Sequence, residues 1–343
     1  MISLHSFAEV AERRRQLIEY VWKGDGMPTR QPEVEHSAAE PDDLRGLRHS
    51  RVDRLVVRLA CSVTATSYLL WPAGAPGGGF AMYLTGHGQP HAPPYDVPLR
   101  ATVQALLDRG FVVAVMDLPL LGWNHGPVAA PHDATTLTWP DPRRVHEIFA
   151  DYEDPRFSAL TFFLEPLVVI LNHADLTLAP RSVAVVGLSG GGWATTVFAA
   201  LDTRVDYSCQ VAGSWPFSLR GLPVSKPNHG DWEQRRDALP GFYGIAGYLD
   251  LYVMGAAGPG RQQLQVINTF DPVCFPGTYH RSYAPEVTER VRRLDAGSWR
   301  VLEDATHTQH TVSAYALRAI LTDLDALTDL DAAEDPSLPE GVG

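Results

Sequence analysis

The chain has 343 residues, 45% of them hydrophobic and 20% charged, proportions that fit a globular protein and are too apolar for an intrinsically disordered one. A formal net charge of -12 repels phosphate backbones and anionic lipid headgroups, so neither nucleic acid nor a membrane is expected as a partner. Cys61, Cys209 and Cys274 are odd in number and lack the paired spacing of a zinc or redox motif, which predicts reduced thiols and a cytoplasmic location.

Residues 3–23 place Phe7, Val10, Leu17, Ile18 and Val21 at helical spacing and stop at Gly24-Asp25-Gly26, predicting an amphipathic N-terminal helix. Arg13-Arg14-Arg15 arrives before any long apolar run, which argues against a secretory signal. No later apolar run approaches the roughly 20 residues that cross a bilayer. A polar linker near 27–50 leads to two β-rich runs, Leu55–Ala60 and Ser67–Trp71, read as opening strands.

From residue 80 the pattern is regular. Strands are expected at Phe80–Leu84, Phe111–Met116, Val183–Val186 and Tyr207–Val211, alternating with helices at Leu99–Leu107, Leu160–Leu171 and Trp193–Leu201. Continuous apolar strands between amphipathic helices define an α/β protein, with a mostly parallel sheet covered on both faces. Residues 213–261, rich in Pro, Gly and aromatics, break the rhythm as an insertion after the sixth strand. Strands Leu264–Asn268 and Trp299–Leu302, a helix at Pro285–Leu294 and a closing helix through Leu317, Ile320, Leu321 and Leu324 follow. The division expected is an N-terminal helix and linker (1–50), one main domain (51–327) and a flexible acidic tail (328–343).

The strongest chemical signal is Gly187-Leu-Ser189-Gly190-Gly191, with an apolar strand before it and an amphipathic helix after it. G-x-S-x-G in that context makes a tight turn, which needs small residues at ±2 and pushes the serine hydroxyl out above the sheet. The helix dipole then points at the site, and the Gly190 amide can donate to a developing oxyanion. The loop lacks both the P-loop lysine and dinucleotide glycine spacing, so phosphate cradling is set aside.

This elbow and the element order resemble the α/β-hydrolase superfamily over roughly residues 50–327, which implies a serine hydrolase without metal or cofactor. Gly86-His87-Gly88-Gln89 after the Phe80 strand is similar to the turn that completes the superfamily's oxyanion hole, implying Gly88 or Gln89 as second donor and His87 as the shaper of the turn. Asp271, just past the Leu264–Asn268 strand, occupies the place of the acid; Asp250 and Glu286 are weaker choices.

Two histidines, His307 and His310, lie between the last strand and the closing helix, in the superfamily's Ser, Asp, His order. Asp-Ala-Thr-His resembles the ending that favours His307, and His-x-Val-Ser before a Ser313 helix cap favours His310. The two are nearly even, with a slight lean to His310. Neither spacing nor neighbouring ligands make this pair a metal site. His87, Trp123, Asn124 and Trp215 are the candidates for lining the substrate pocket.

The expected reaction cleaves an ester, small or carried on a carbohydrate, through an acyl-enzyme on Ser189. An amidase or peptidase of the same fold is the alternative, and a non-catalytic binding relative is disfavoured by the intact Ser, Asp and His set. Oligomeric state is not legible.

Overall fold

The computed structural model describes residues 1–87, 96–141, 144–221, 230–294 and 297–334. Among these, nine strands form one sheet: β1 (Glu33–Glu35), β2 (His49–Arg58), β3 (Thr64–Pro72), β4 (Gly79–Leu84), β5 (Val112–Met116), β8 (Ser182–Leu188), β9 (Tyr207–Val211), β10 (Gln262–Asn268) and β11 (Ser298–Asp304). The two-residue strands β6 (Val128–Ala129) and β7 (Leu137–Thr138) pair separately. The order in the main sheet is β1-β2-β3-β5-β4-β8-β9-β10-β11. Pairing is antiparallel from β1 to β5 and parallel from there to β11.

Helices α1 (Phe7–Trp22), α3 (Thr161–Leu178), α4 (Gly190–Leu201), α5 (Pro240–Ile245), α6 (Tyr248–Ala256) and α7 (Ala284–Arg293) contribute to the core on one face. The opposite face is covered by α2 (Asp96–Leu107) and α8 (Ala314–Glu334) through Leu99, Val103, Leu106, Ile320 and Leu324. Every residue of β4, β5 and β8 is buried, which is why these strands read as unbroken apolar runs rather than alternating ones.

The N-terminal helix docks on the main body as expected. A capping box between Ser6 and Glu9 starts it, and Val10, Leu17 and Val21 face the core. Arg14 reaches across to the carbonyls of Ala200 (2.9 Å) and Met254 (3.2 Å), satisfying acceptors in the last turns of α4 and α6. Asp250 and Glu286, the weaker acid candidates, are engaged nearby: they accept from the amides of Ser3 (2.7 Å) and Ile2 (3.3 Å) and so hold the N-terminus.

Several expectations change. The 1–50 segment is more than a helix and linker, because β1 and the start of β2 join the sheet; β1 is three residues, too short to show periodicity, and is placed by backbone pairing at an edge. The closing helix runs to Glu334, past the expected boundary at 327. The 213–261 insertion belongs to the core, where Trp232, Phe242, Tyr243, Tyr248 and Tyr252 are all buried. Parallel β9 and β10 require a crossover, and α6 supplies it by packing against α4. Its sequence, YLDLYVMGA, is apolar nearly all round, so no amphipathic stripe betrays it. Helix α3 has the length and apolarity of a bilayer span, contrary to the sequence reading, but most of its side chains are buried in the core of the molecule.

Candidate active site

Ser189 sits between β8 and α4 at φ 58°, ψ -121°, a conformation that L residues rarely adopt and that strain-tolerant functional turns do. The glycines around it are enforced by contact. A Cβ on Gly187 would fall 2.2 Å from the Gly191 carbonyl oxygen, and one on Gly191 would fall 2.1 Å from that of Leu84. The turn is thus wedged against the end of β4. Helix α4 begins at Gly190, so its unpaired amides point toward the space above Ser189.

The two candidate histidines separate clearly. His310 Nδ1 lies 2.8 Å from Asp271 Oδ2, with both side chains buried. Asp271 is itself held: Oδ1 accepts from the amides of Val273 and Cys274, each at 2.8 Å, and Oδ2 from Asn268 Nδ2 at 3.3 Å. Asn268, the last residue of β10, also donates to the Thr311 carbonyl at 2.9 Å, tying the histidine loop to the strand that carries the aspartate. His307 turns away, with Nε2 3.3 Å from Asp304 Oδ2 and Nδ1 accepting from the Gln309 amide. His310, not His307, shares the walls of the Ser189 cavity.

Asp304 organises this loop. It accepts from the Thr306 amide (3.0 Å) and hydroxyl (2.6 Å) and from the hydroxyl of Ser313, which in turn caps α8 by accepting from the amides of Tyr315 and Ala316. Burial alone would raise its pKa, but these hydrogen bonds outweigh burial and hold it below the ordinary carboxylate value. A depressed folded pKa stabilises above the unfolded value of about 3.9 and is lost as pH falls through the folded value. Asp304→Asn is therefore expected to cost about 1–3 kcal/mol in urea denaturation at neutral pH, with stability that falls less steeply than wild type below about pH 4. Parallel acid limbs would remove this role.

The cavity at Ser189 measures about 260 Å³ and is lined by His87, Ala212, Gly213, Asp231, Gln234, Val273, Cys274, Phe275 and His310. Cys274 Sγ lies 3.9 Å from Ser189 Oγ. Burial pushes this thiol up to about 12, so it stays protonated and does not compete as a nucleophile. Ala212 (φ 48°) and Phe275 (φ 53°) add strained backbone to the same wall.

Three pocket candidates lie elsewhere. Trp123 packs edge-on against Tyr68 and donates to Asp43 Oδ2. Asn124 is a brace, accepting from the Thr66 amide at 2.6 Å and donating to the Asp117 carbonyl at 2.9 Å. Trp215 is fully buried between Phe275 and Tyr279. All three were drawn toward the site by sequence position, but their side chains are engaged in packing and backbone bracing instead. Gly88 and Gln89, the expected second oxyanion donors, lie outside the described residues.

His87 does line the cavity, and its ring abuts Gly190 so closely that a Cβ there would meet it at 2.4 Å. Its Nε2 lies 2.9 Å from Glu233 Oε1, 3.2 Å from Asp231 Oδ2 and 3.2 Å from His146 Nδ1. Burial disfavours charge on His87, yet Glu233 and Asp231 together lift its pKa above the ordinary imidazole value. Burial likewise opposes ionisation of Glu233, but His146 and His87 overcome it and keep the carboxyl ionised. Sequence reasoning missed His146, Asp231, Gln234, Glu233 and Cys274. His87 is 59 positions from His146 and 146 from Glu233, so no spacing pattern joins them.

Mostly parallel strands in this order, a strained serine between β8 and α4, and an acid and a histidine on loops after β10 and β11 are features of the α/β-hydrolase fold, and the chain has that fold. No sequence-family model and no curated protein matches the chain. Among solved structures it is similar to glucuronoyl esterase from Solibacter usitatus, with a TM-score of 0.61 and 13% identity over 92% of this chain and 92% of that one. Acetyl xylan esterase 1 from Thermoanaerobacterium sp. JW/SL YS485 matches at TM-score 0.55 and 14% identity, over 92% of this chain and 93% of that one. Acetyl xylan esterase from Paenibacillus sp. R4 matches at 0.54 and 14%, over 93% of this chain and 92% of that one. At such identities the likeness is one of fold.

Proposed function

We propose that the chain is a serine hydrolase that cleaves carboxylic esters, with Ser189 as nucleophile, His310 as general base and acid, and Asp271 as the group that orients the imidazole. The observation that carries this is the shared cavity wall: a serine held at φ 58° on a strand-to-helix turn faces the same space as a histidine whose Nδ1 is 2.8 Å from a buried carboxylate. Asp271 fixes the tautomer with hydrogen on Nδ1, leaving Nε2 to take the serine proton and later deliver it to the leaving alcohol. The Gly190 amide at the head of α4 stabilises the oxyanion. Water then attacks the acyl-enzyme with the same histidine as base, regenerating Ser189.

The substrate proposed is a small acyl or alkyl ester carried on a carbohydrate. A cavity of about 260 Å³ accommodates a short acyl group, and Asp231 and Gln234 on its wall suit hydroxyl groups. The fold neighbours named as acetyl xylan and glucuronoyl esterases support the same class. A panel of p-nitrophenyl esters, matched anilides and acetylated or methyl-esterified sugars tests it. Ester turnover well above anilide turnover, falling steeply with acyl length, is the expected result. Preferential anilide cleavage would move the chain to the amidases, and failure of a fluorophosphonate to label the wild type would remove the catalytic reading.

A further inference from the structure

We propose that His87, His146 and Glu233, with Asp231 as a fourth group, form a binding site for a divalent transition metal, zinc by its ligand chemistry, on the wall of the Ser189 cavity. Two imidazole nitrogens and a carboxylate are a recognised zinc donor set. Their spacing comes close to one. His87 Nε2, His146 Nδ1 and the nearer Glu233 oxygens are separated by 2.9 to 3.2 Å, and Asp231 Oδ2 is 3.2 Å from His87 Nε2. Donors about 2.0–2.1 Å from one tetrahedral ion sit roughly 3.3–3.4 Å apart.

Hydrogen bonding alone leaves the cluster unresolved. His146 Nε2 donates to the Pro119 carbonyl at 2.9 Å, the kind of outer contact that sets the tautomer of a metal-binding histidine and leaves the Nδ1 lone pair facing inward. A proton on His146 Nδ1 and another on His87 Nε2 would face each other across 3.2 Å. A single N–H on His87 cannot serve Glu233, Asp231 and His146 together. Glu233 is fully buried, and its Oε2 faces His146 Nδ1 at 3.2 Å without the alignment of a hydrogen bond. A buried carboxylate whose second oxygen is so poorly hydrogen-bonded is costly unless positive charge meets it.

The donors come from three separate segments, each anchored independently. His87 follows β4. His146 lies in the short 3-10 helix Val145–Asp151, its ring packed on Phe149 and Phe163. Glu233 lies in the turn Trp232–Gln234, held by Tyr243, which donates to the Glu233 carbonyl at 2.6 Å, and by a two-point ion pair from Arg235 to Glu147 at 2.7 and 3.0 Å. The ion clips these segments together directly behind Gly190. Asp231, 39% exposed, is the ligand on the cavity side.

The test is metal content and spectroscopy, and neither depends on ester hydrolysis. Protein stripped with a chelator is dialysed against zinc chloride and assayed by inductively coupled plasma mass spectrometry, and the stripped wild type is titrated with zinc in competition with a chromophoric chelator. One zinc per chain is expected, with the thermal midpoint raised by about 5 °C or more, since the ion binds only the folded state. Cobalt substitution should give the intense visible bands of a four-coordinate ion. Glu233→Gln and His146→Phe should both lose the metal. Should these variants not fold, the wild-type titration and cobalt spectrum decide alone. Substoichiometric zinc with an unmoved midpoint, equal binding by wild type and Glu233→Gln, or a six-coordinate cobalt spectrum would each overturn the site.

Discussion

Ser189→Ala is expected to reduce kcat for an activated ester by on the order of 10⁴- to 10⁶-fold, about 5–8 kcal/mol of transition-state stabilisation, while leaving the denaturation midpoint nearly unchanged. The side chain is lost from a turn whose geometry is imposed by glycine contacts, so the backbone should stay as it is. Cys274, whose sulfur is 3.9 Å from the missing hydroxyl, is a buried thiol held protonated and is not expected to take over. Residual turnover would come from the α4 amides and from substrate positioning. Steady-state kinetics beside circular dichroism check this, and a loss smaller than about tenfold would transfer the nucleophile elsewhere.

The second large effect distinguishes two histidines three residues apart. His310→Ala should match the Ser189 variant, because base and nucleophile act as a unit and their losses do not add. His307→Ala should stay within about tenfold of wild type, since this ring faces Asp304 and not the cavity. Asp271→Asn should lower kcat by about 10⁴-fold with the fold intact, because an amide can donate to Nδ1 and so favours the wrong tautomer. A dead His307 variant beside an active His310 variant would invert the assignment, and near wild-type rates for Asp271→Asn would dismiss the acid.

Much of this molecule is legible in one dimension. The buried parallel strands announce themselves as apolar runs, and the G-x-S-x-G turn is readable because its geometry is local: a few residues set the dihedral angles and the steric demand. Asp271 is placed by the end of β10 and the histidines by the end of β11. Sequence could not choose between His307 and His310, because both fit the spacing from strand to helix. That choice is made by Asn268, which ties Thr311 to the end of β10 beside Asp271, and by Asp304, which draws His307 the other way.

The insertion shows where local reading ends. Its aromatics break the sequence rhythm without showing where they pack, because burial against α4 is a property of the whole sheet and leaves no amphipathic stripe in a nearly all-apolar helix. The sequence alone determined the buried parallel strands, the elbow and the order of nucleophile, acid and histidine, since each depends on neighbours along the chain. Only the tertiary structure decided which histidine meets the aspartate, that Trp123, Asn124 and Trp215 are engaged in packing and bracing, and that His87, His146 and Glu233 converge. Those outcomes depend on side chains brought together from distant segments, and packing, not spacing, sets their distances.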